Sequence, residues 1–201
     1  MKKLKPDFFR RDNVLQIAKE LLGKIIVTCM DGVITSGRIV EVEAYSGITD
    51  RASHAYNGRR TCRTEIMYEE GGVAYVYLCY GIHHLFNIVT HGKNIPHAIL
   101  VRALEPIKGV ENMLLRTGKK KADFTLTKGP GNAAKAQGIT TTLTGYSLQS
   151  KELFIAEDGF VVNRGDIKSS PRIGIDYAGK DALLPYRFYL KNNLYVSGEL
   201  K

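Results

Sequence analysis

The sequence has no tryptophan and only three cysteines among its 201 residues. Cys29, Cys62 and Cys79 form no C-x-x-C pair, so we expect neither a disulfide framework nor a zinc knuckle. Isolated thiols are typical of proteins that work in a reducing cytoplasm. Apolar runs long enough to cross a bilayer, about 18 residues, are also missing, and no apolar stretch follows the basic start. We therefore expect neither a membrane span nor a secretory signal.

The motifs of metal-dependent and nucleotide-dependent enzymes are missing as well. His83 and His84 are adjacent and would point to opposite sides of a strand, and no H-E-x-x-H occurs. The turn at 129–131 reads G-P-G, but no G-K-[ST] follows it, so it is not the phosphate loop of a nucleotide enzyme. A contact between this turn and a single phosphate stays open. We expect no metal and no cofactor.

Basic charge is what the sequence has in excess. Lys and Arg number 29 against 20 Asp and Glu, which gives a formal net charge of +9. A single domain with this balance often binds an anionic partner, and nucleic acid is the commonest one. A surface that is merely rich in lysine gives the same balance, so charge alone leaves both interpretations open.

Hydrophobic periodicity and turn residues predict a mixed α and β fold. Strands are predicted at residues 24–30, 33–45, 73–80, 82–90, 97–104, 153–156 and 187–190. Helices are predicted from a cap at Asp12 to Gly23, at 108–116 and at 128–137. Residues 47–72 are polar and irregular, which indicates a loop with short helical pieces. Sequential strands usually lie next to each other, so we expect pairing largely between neighbours in one domain.

Residues 39–45 alternate in a way that can line a cleft. The small apolar residues share one face of the predicted strand, while Glu41, Glu43 and Tyr45 share the other. The same alternation also fits a strand that simply faces solvent.

Tyrosines dominate the strand at 73–80. Tyr75 and Tyr77 point to one face, whereas Tyr80 points to the other and precedes Gly81, which predicts a position at a bend or tip. An exposed ring on a basic protein can wedge into a stack of bases. Core and edge tyrosines show the same spacing, so a packing role stays open.

Several blocks in a fixed order carry a family resemblance. One reads E-V-E-A-Y-S-G at 41–47, and another reads A-Y-V-Y-L-C-Y-G at 74–81. The others lie at residues 50–55, 58–61, 87, 100–106, 129–131, 137–139, 172–175 and 187–189. Together, over residues 9–197, they resemble the alkyladenine (3-methyladenine) DNA glycosylase family. The resemblance implies a mixed α+β fold, as a single compact domain over residues 1–201 with a curved, largely antiparallel sheet flanked by helices.

The resemblance implies catalysis by one carboxylate. Glu43 matches the family's general base, and Arg102 matches a residue that helps hold the attacking water. A cationic methylpurine is already a good leaving group, so activation of water suffices. A neutral lesion such as hypoxanthine would also need a proton, and the sequence identifies no acid. No lysine matches a Schiff-base position, which implies base removal without strand cleavage.

The resemblance also implies a base pocket and a DNA partner. Tyr45, His54 and Tyr77 match residues that enclose a flipped base, and Asn87 matches one that helps exclude normal guanine through its 2-amino group. Tyr80 matches the ring that enters the gap that the flipped base leaves. The implied partner is double-stranded DNA that contains damaged purines. The resemblance also implies a monomer and no membrane partner. Flipping costs a few kcal/mol, and stacking worth about 1–3 kcal/mol per base offsets part of that cost.

Two other functions fit parts of the same sequence. A metal-dependent nuclease would use Glu41, Glu43 and Asp50 around magnesium. A non-catalytic nucleic-acid-binding module would need only basic charge and exposed tyrosines. Composition and spacing by themselves favour the binding module, whereas the ordered blocks favour the glycosylase. Departures from the family pattern at residues 48–49, 62 and 132–135 leave the lesion preference open.

Overall fold

A long strand that runs through the middle of the sheet organises the molecule. The structure is a computed structural model, and it describes residues 1–198. The strands are β1 (Lys2–Lys3), β2 (Ile25–Met30), β3 (Val33–Tyr45), β4 (Ala74–Cys79), β5 (His83–Thr90), β6 (His97–Lys108), β7 (Leu153–Glu157), β8 (Ile167–Ser170) and β9 (Arg187–Leu190). The α-helices are α1 (Val14–Leu21), α2 (Val110–Thr117) and α3 (Pro130–Gln137).

All strand pairs are antiparallel, and the sheet is open. Its order is β1-β7-β2-β3-β6-β5-β4, and β9 adds to β3 and in turn pairs with β8. The first half of β3 pairs with β2, and residues 41–43 pair with β9. On its other edge, β3 pairs with β6 from Ser36 to Tyr45. The prediction of one compact α+β domain with a largely antiparallel sheet is therefore confirmed.

Two irregularities bend β3 and β6 beside each other. Ile39 faces Leu104 and Glu41 faces Ala103, so β3 has an extra residue at Val40. Strand β6 then has an extra residue at Arg102, between the partners of residues 41 and 42. Bulges of this kind increase the local twist and redirect a side chain, and they are common next to active sites. Here they turn Arg102 toward the glutamates of β3.

The main core lies between the sheet and helices α1 and α3. Helix α1 buries Val14, Ile17, Ala18 and Leu21, a stripe with the spacing of one helix face. Complete burial of a residue such as Ile17 contributes about 1.5–3 kcal/mol. Helix α3 buries small residues against β5 and β6, which allows its backbone to come close to the sheet.

The predicted cap of α1 is corrected by one residue. The side chain of Asn13, not Asp12, accepts a hydrogen bond from the backbone N–H of Gln16 at 3.0 Å. Asp12 is exposed, and its carboxylate lies 3.5 Å from Nε2 of His91. Both residue types cap helices well, so the sequence alone does not choose between neighbours. Strands β1 and β8 were missed, because they are short and polar.

The polar segment after β3 folds back over the sheet. As predicted, it contains short helical pieces, which are 3₁₀ turns at Gly47–Thr49, Tyr56–Gly58 and Glu65–Tyr68. Met67 and Tyr68 pack with Tyr75 in a small second core. This segment thereby lies against β4, where His54 shares a hydrogen bond with Tyr75. No helix in residues 1–198 is long and apolar enough to cross a membrane.

Candidate active site

A cleft of about 610 Å³ opens between the end of β3, the β4–β5 hairpin and the segment after β8. Its lining includes residues from β3, the segment at 52–67, the β4–β5 hairpin, β6, the turn at 128–132 and the segment at 173–177. All seven residues singled out from the sequence line it, namely Glu43, Tyr45, His54, Tyr77, Tyr80, Asn87 and Arg102. The cleft is therefore the place at which the predicted site residues meet.

Glu43 lies at the bottom of this cleft with its side chain buried. Its Oε1 accepts a hydrogen bond from the backbone N–H of Ile173 at 2.8 Å and lies 3.2 Å from Nη1 of Arg102. Its Oε2 accepts a hydrogen bond from the hydroxyl of Tyr45 at 2.8 Å. The expectation that this strand face lines a cleft is met, and the solvent-facing alternative is wrong.

Glu41 is also fully buried, and its surroundings differ from those of Glu43. Its Oε1 accepts hydrogen bonds from Nε of Arg102 at 2.9 Å, Nε of Arg187 at 2.8 Å and the hydroxyl of Ser197 at 2.8 Å. Its Oε2 accepts one from the backbone N–H of Ser197 at 2.6 Å. Glu41 therefore has four hydrogen-bond donors around it, and it is not among the residues that line the cleft.

Arg102 connects the two glutamates. Burial alone would lower the pKa of Arg102, but the charges of Glu43 and Glu41 raise it above its ordinary value. Arg102 and Arg187 together balance the two carboxylate charges, which is the condition for keeping ions inside a protein. Because Nε of Arg102 is bound to Glu41, the other end of the guanidinium is presented to Glu43.

Aromatic rings form one wall of the cleft. The rings of His54 and Tyr77 meet edge to face with centroids 4.7 Å apart, and Tyr75 lies 5.5 Å from Tyr77. Nδ1 of His54 shares a hydrogen bond of 2.8 Å with the hydroxyl of Tyr75. Burial, and next the charges of Arg63 and Arg59, lower the pKa of His54 to about 4. The ring of His54 is therefore neutral at neutral pH.

Tyr80 is an exposed residue of the cleft lining, whereas Asn87 is a buried one. Tyr80 stands at the tip of the β4–β5 hairpin and is 90% exposed, as predicted for a residue before Gly81. Asn87 is buried on β5, where its Nδ2 donates to the backbone oxygens of Tyr75 at 3.2 Å and Leu85 at 3.3 Å. The buried amide of Asn87 and the exposed ring of Tyr80 thus belong to the same β4–β5 hairpin.

Several contributors to the site were missed in the sequence. The backbone N–H of Ile173 is one, since any residue type supplies it. Arg172 is another: it is buried, forms a two-point ion pair with Asp50, and its guanidinium carbon lies 4.7 Å from the centroid of the Tyr45 ring. Arg187 is the third. Their sequence blocks were part of the resemblance, but without assigned roles.

The carboxylates that a magnesium-dependent nuclease would use are all paired with arginine. Glu41 and Glu43 contact Arg102, and Asp50 contacts Arg172. Within residues 1–198, no group of three or more His, Cys, Asp or Glu side chains is arranged to hold a metal ion. The departures from the family pattern at 132–135 lie partly at the cleft, where Asn132 belongs to the lining.

Comparison with known proteins identifies the family. The model of the methylpurine-DNA glycosylase family matches residues 7–194, and the chain belongs to this family of DNA repair enzymes. It is 47% identical to a Chlamydia abortus protein over 188 residues, which cover 93% of this chain and 97% of the relative. It is 47% identical to a Bacillus cytotoxicus protein over 203 residues, 97% and 99% of the two chains. Both relatives bear the provisional name 3-methyladenine DNA glycosylase.

Proposed function

We propose that the protein is a monofunctional DNA glycosylase that flips alkylated or deaminated purines, 3-methyladenine among them, out of duplex DNA and removes them by hydrolysis. The observation that carries the proposal is the placement of Glu43 at the bottom of a cleft with an aromatic wall. A base that enters between the rings comes to lie over a carboxylate held by three partners.

For a cationic purine, the chemical step needs Glu43 and a water molecule. Glu43 accepts a proton from a water molecule while the water oxygen forms a bond to C1′ of the sugar. The bond between C1′ and the purine nitrogen breaks, and its electron pair leaves with the purine. A methylated, cationic purine thereby departs as a neutral molecule. The negative charge of Glu43 also stabilises the oxocarbenium-like sugar in the transition state. The product is DNA with an intact backbone and an abasic site.

The aromatic wall supports selection of electron-poor bases. Tyr45, His54 and Tyr77 offer π faces, whose attraction to a cationic purine contributes about 0.5–2 kcal/mol. His54 suits this role because its lowered pKa, about 4, keeps the ring uncharged, so it does not repel a cation at neutral pH. A normal, neutral purine lacks the cation–π contribution, and it is also the poorer leaving group.

The test is release of free purine from methylated duplex DNA, assayed with and without EDTA. Glu43→Gln is expected to slow release by about 100-fold or more, the contribution typical of a general base, while binding of the DNA persists. Glu111→Gln makes the same chemical change on the exposed side of α2 and is the matched control.

Four results would contradict the proposal. Near-normal release by Glu43→Gln would remove the carboxylate from the mechanism. Binding of DNA by the parent protein without any release of purine would favour the non-catalytic binding module. Loss of activity in EDTA would favour the metal-dependent nuclease, and cleaved strands without alkali treatment would contradict the monofunctional assignment.

A further inference from the structure

The two oxygens of the Glu43 carboxylate have different surroundings. Oε1 has two close partners, the backbone N–H of Ile173 and the guanidinium of Arg102. Among residues 1–198, the hydroxyl of Tyr45 is the one hydrogen-bond donor to Oε2. A carboxylate oxygen can accept about two hydrogen bonds. Oε1 therefore has a hydrogen-bond donor and a guanidinium beside it, whereas Oε2 has one donor and a second acceptor position left.

We propose that the hydroxyl of Tyr45 is a positioning group for the general base. It holds Oε2 of Glu43 in place and leaves the second acceptor position of Oε2 to the attacking water. This inference rests on the proposed function, because it concerns the same carboxylate. Tyr45 then acts twice: its ring lines the cleft for the base, and its hydroxyl orients the oxygen that receives the proton.

The environment of Tyr45 suits a donor that never ionises. Burial, and next the adjacent charge of Glu43, raise the pKa of Tyr45 well above its ordinary value, so the hydroxyl keeps its proton. Arg172 covers the ring, with its guanidinium carbon 4.7 Å from the ring centroid, and Asp50 holds Arg172 through two hydrogen bonds. The hydroxyl is therefore fixed in direction as well as in protonation state.

Replacement of the hydroxyl alone leaves the other charges around Glu43 unchanged. The charged and titratable groups near it come from β3, β6, β9 and the segment after β8. They are Glu41, Arg102, Arg187, Arg172 and Tyr177. None of them depends on the Tyr45 hydroxyl for a hydrogen bond. A change of behaviour in Tyr45→Phe can therefore be assigned to the lost donor.

The experiment uses Tyr45→Phe, which keeps the ring and deletes the hydroxyl. With duplex DNA that contains cationic 3-methyladenine, the single-turnover rate of release is expected to fall about tenfold, as for one lost hydrogen bond to a charged group. The pH of half-maximal rate on the acidic side is expected to rise by about one unit, because a carboxylate that loses a donor is protonated more readily. Affinity for the damaged DNA should change less than about threefold, since the ring remains.

Tyr77→Phe is the matched control, because it removes a hydroxyl from the same aromatic wall without touching Glu43. Its acidic midpoint is expected to equal that of the parent. An acidic midpoint and a rate in Tyr45→Phe that equal those of the parent, at an unchanged melting temperature, would overturn the positioning role. If the parent protein itself releases no purine, the proposed function fails instead, so the two failures are distinguishable.

Discussion

At the scale of single residues, the unusual property of the site is the complete burial of two glutamates two positions apart. An isolated carboxylate in a protein interior is strongly unfavourable, so each glutamate needs hydrogen-bond donors or cations beside it. Glu41 accepts four hydrogen bonds, two of them from arginines. Glu43 has fewer partners and lines the cleft. Glu41 is thus held within the structure, whereas Glu43 can be reached from the cleft.

This difference predicts the effect of replacing Glu41. Glu41→Ala should lower the free energy of unfolding by about 3–5 kcal/mol, because Arg187 would lose its carboxylate partner in the interior and Arg102 would keep only Glu43. The measurement is denaturant unfolding of the parent and the variant. Glu111→Ala, an exposed position on α2, should change the value by less than about 0.5 kcal/mol. A Glu41→Ala variant as stable as the parent would show that the arginines find other partners.

At the scale of elements, the hairpin between β4 and β5 carries a ring in a strained turn. Tyr80 has φ 51° and Gly81 has φ 71°, and the N–H of Ile82 donates to the carbonyl of Cys79 at 3.1 Å. This is the geometry of a type I′ turn, in which a non-glycine residue at positive φ costs about 1–2 kcal/mol. Strain that is kept at an exposed aromatic position is typical of a functional site.

Because of this strain, one substitution can test the wedge role predicted for Tyr80 separately from its effect on folding. Tyr80→Gly should raise the free energy of unfolding by up to about 1 kcal/mol and yet slow excision, because the ring no longer fills the gap left by the flipped base. The loss should be larger for a paired lesion than for a mismatched one, which costs less to extrude. Tyr80→Phe keeps the ring and serves as the control. Equal losses on paired and mismatched duplexes would count against the wedge.

At the scale of the whole molecule, two partly buried histidines link stability to pH. Burial is the main cause that lowers the pKa of both His54 and His97 to about 4, well below the ordinary value of 6.5. Between pH 6.5 and 4, these two histidines therefore bind protons in the unfolded chain and stay neutral in the folded chain. Their contribution to stability is complete above pH 6.5 and is lost progressively as the pH falls from 6.5 to 4.

The expected slope is at most about 1.4 kcal/mol per pH unit for each histidine, less some solvent screening because neither ring is fully buried. It can be measured by denaturant unfolding at a series of pH values. The difference between the parent and His54→Gln isolates one histidine from the acidic groups that titrate in the same range. If this difference does not vary between pH 6.5 and 4, His54 is not held neutral by the fold.

Local patterns predicted the strands β2 to β7 and β9 within a few residues, and they placed Glu41, Glu43 and Tyr45 on one face. Such features depend on neighbours in the chain, because backbone geometry repeats every two residues in a strand. The ordered blocks of residues added the family and the choice of Glu43. Spacing alone left a solvent-facing strand open, because alternation shows which side chains share a face and not what covers that face.

What the sequence by itself determined is therefore most of the strands and helices and the residue types available for chemistry. Only the tertiary structure decided that Glu43 is buried beneath the cleft, and that Ile173, 130 residues further along the chain, donates to it. The same holds for Arg102, which a bulge in β6 turns toward both glutamates. The physical reason is that a backbone N–H and an ion pair across the sheet leave no local signature in the sequence, since they arise only when distant segments pack.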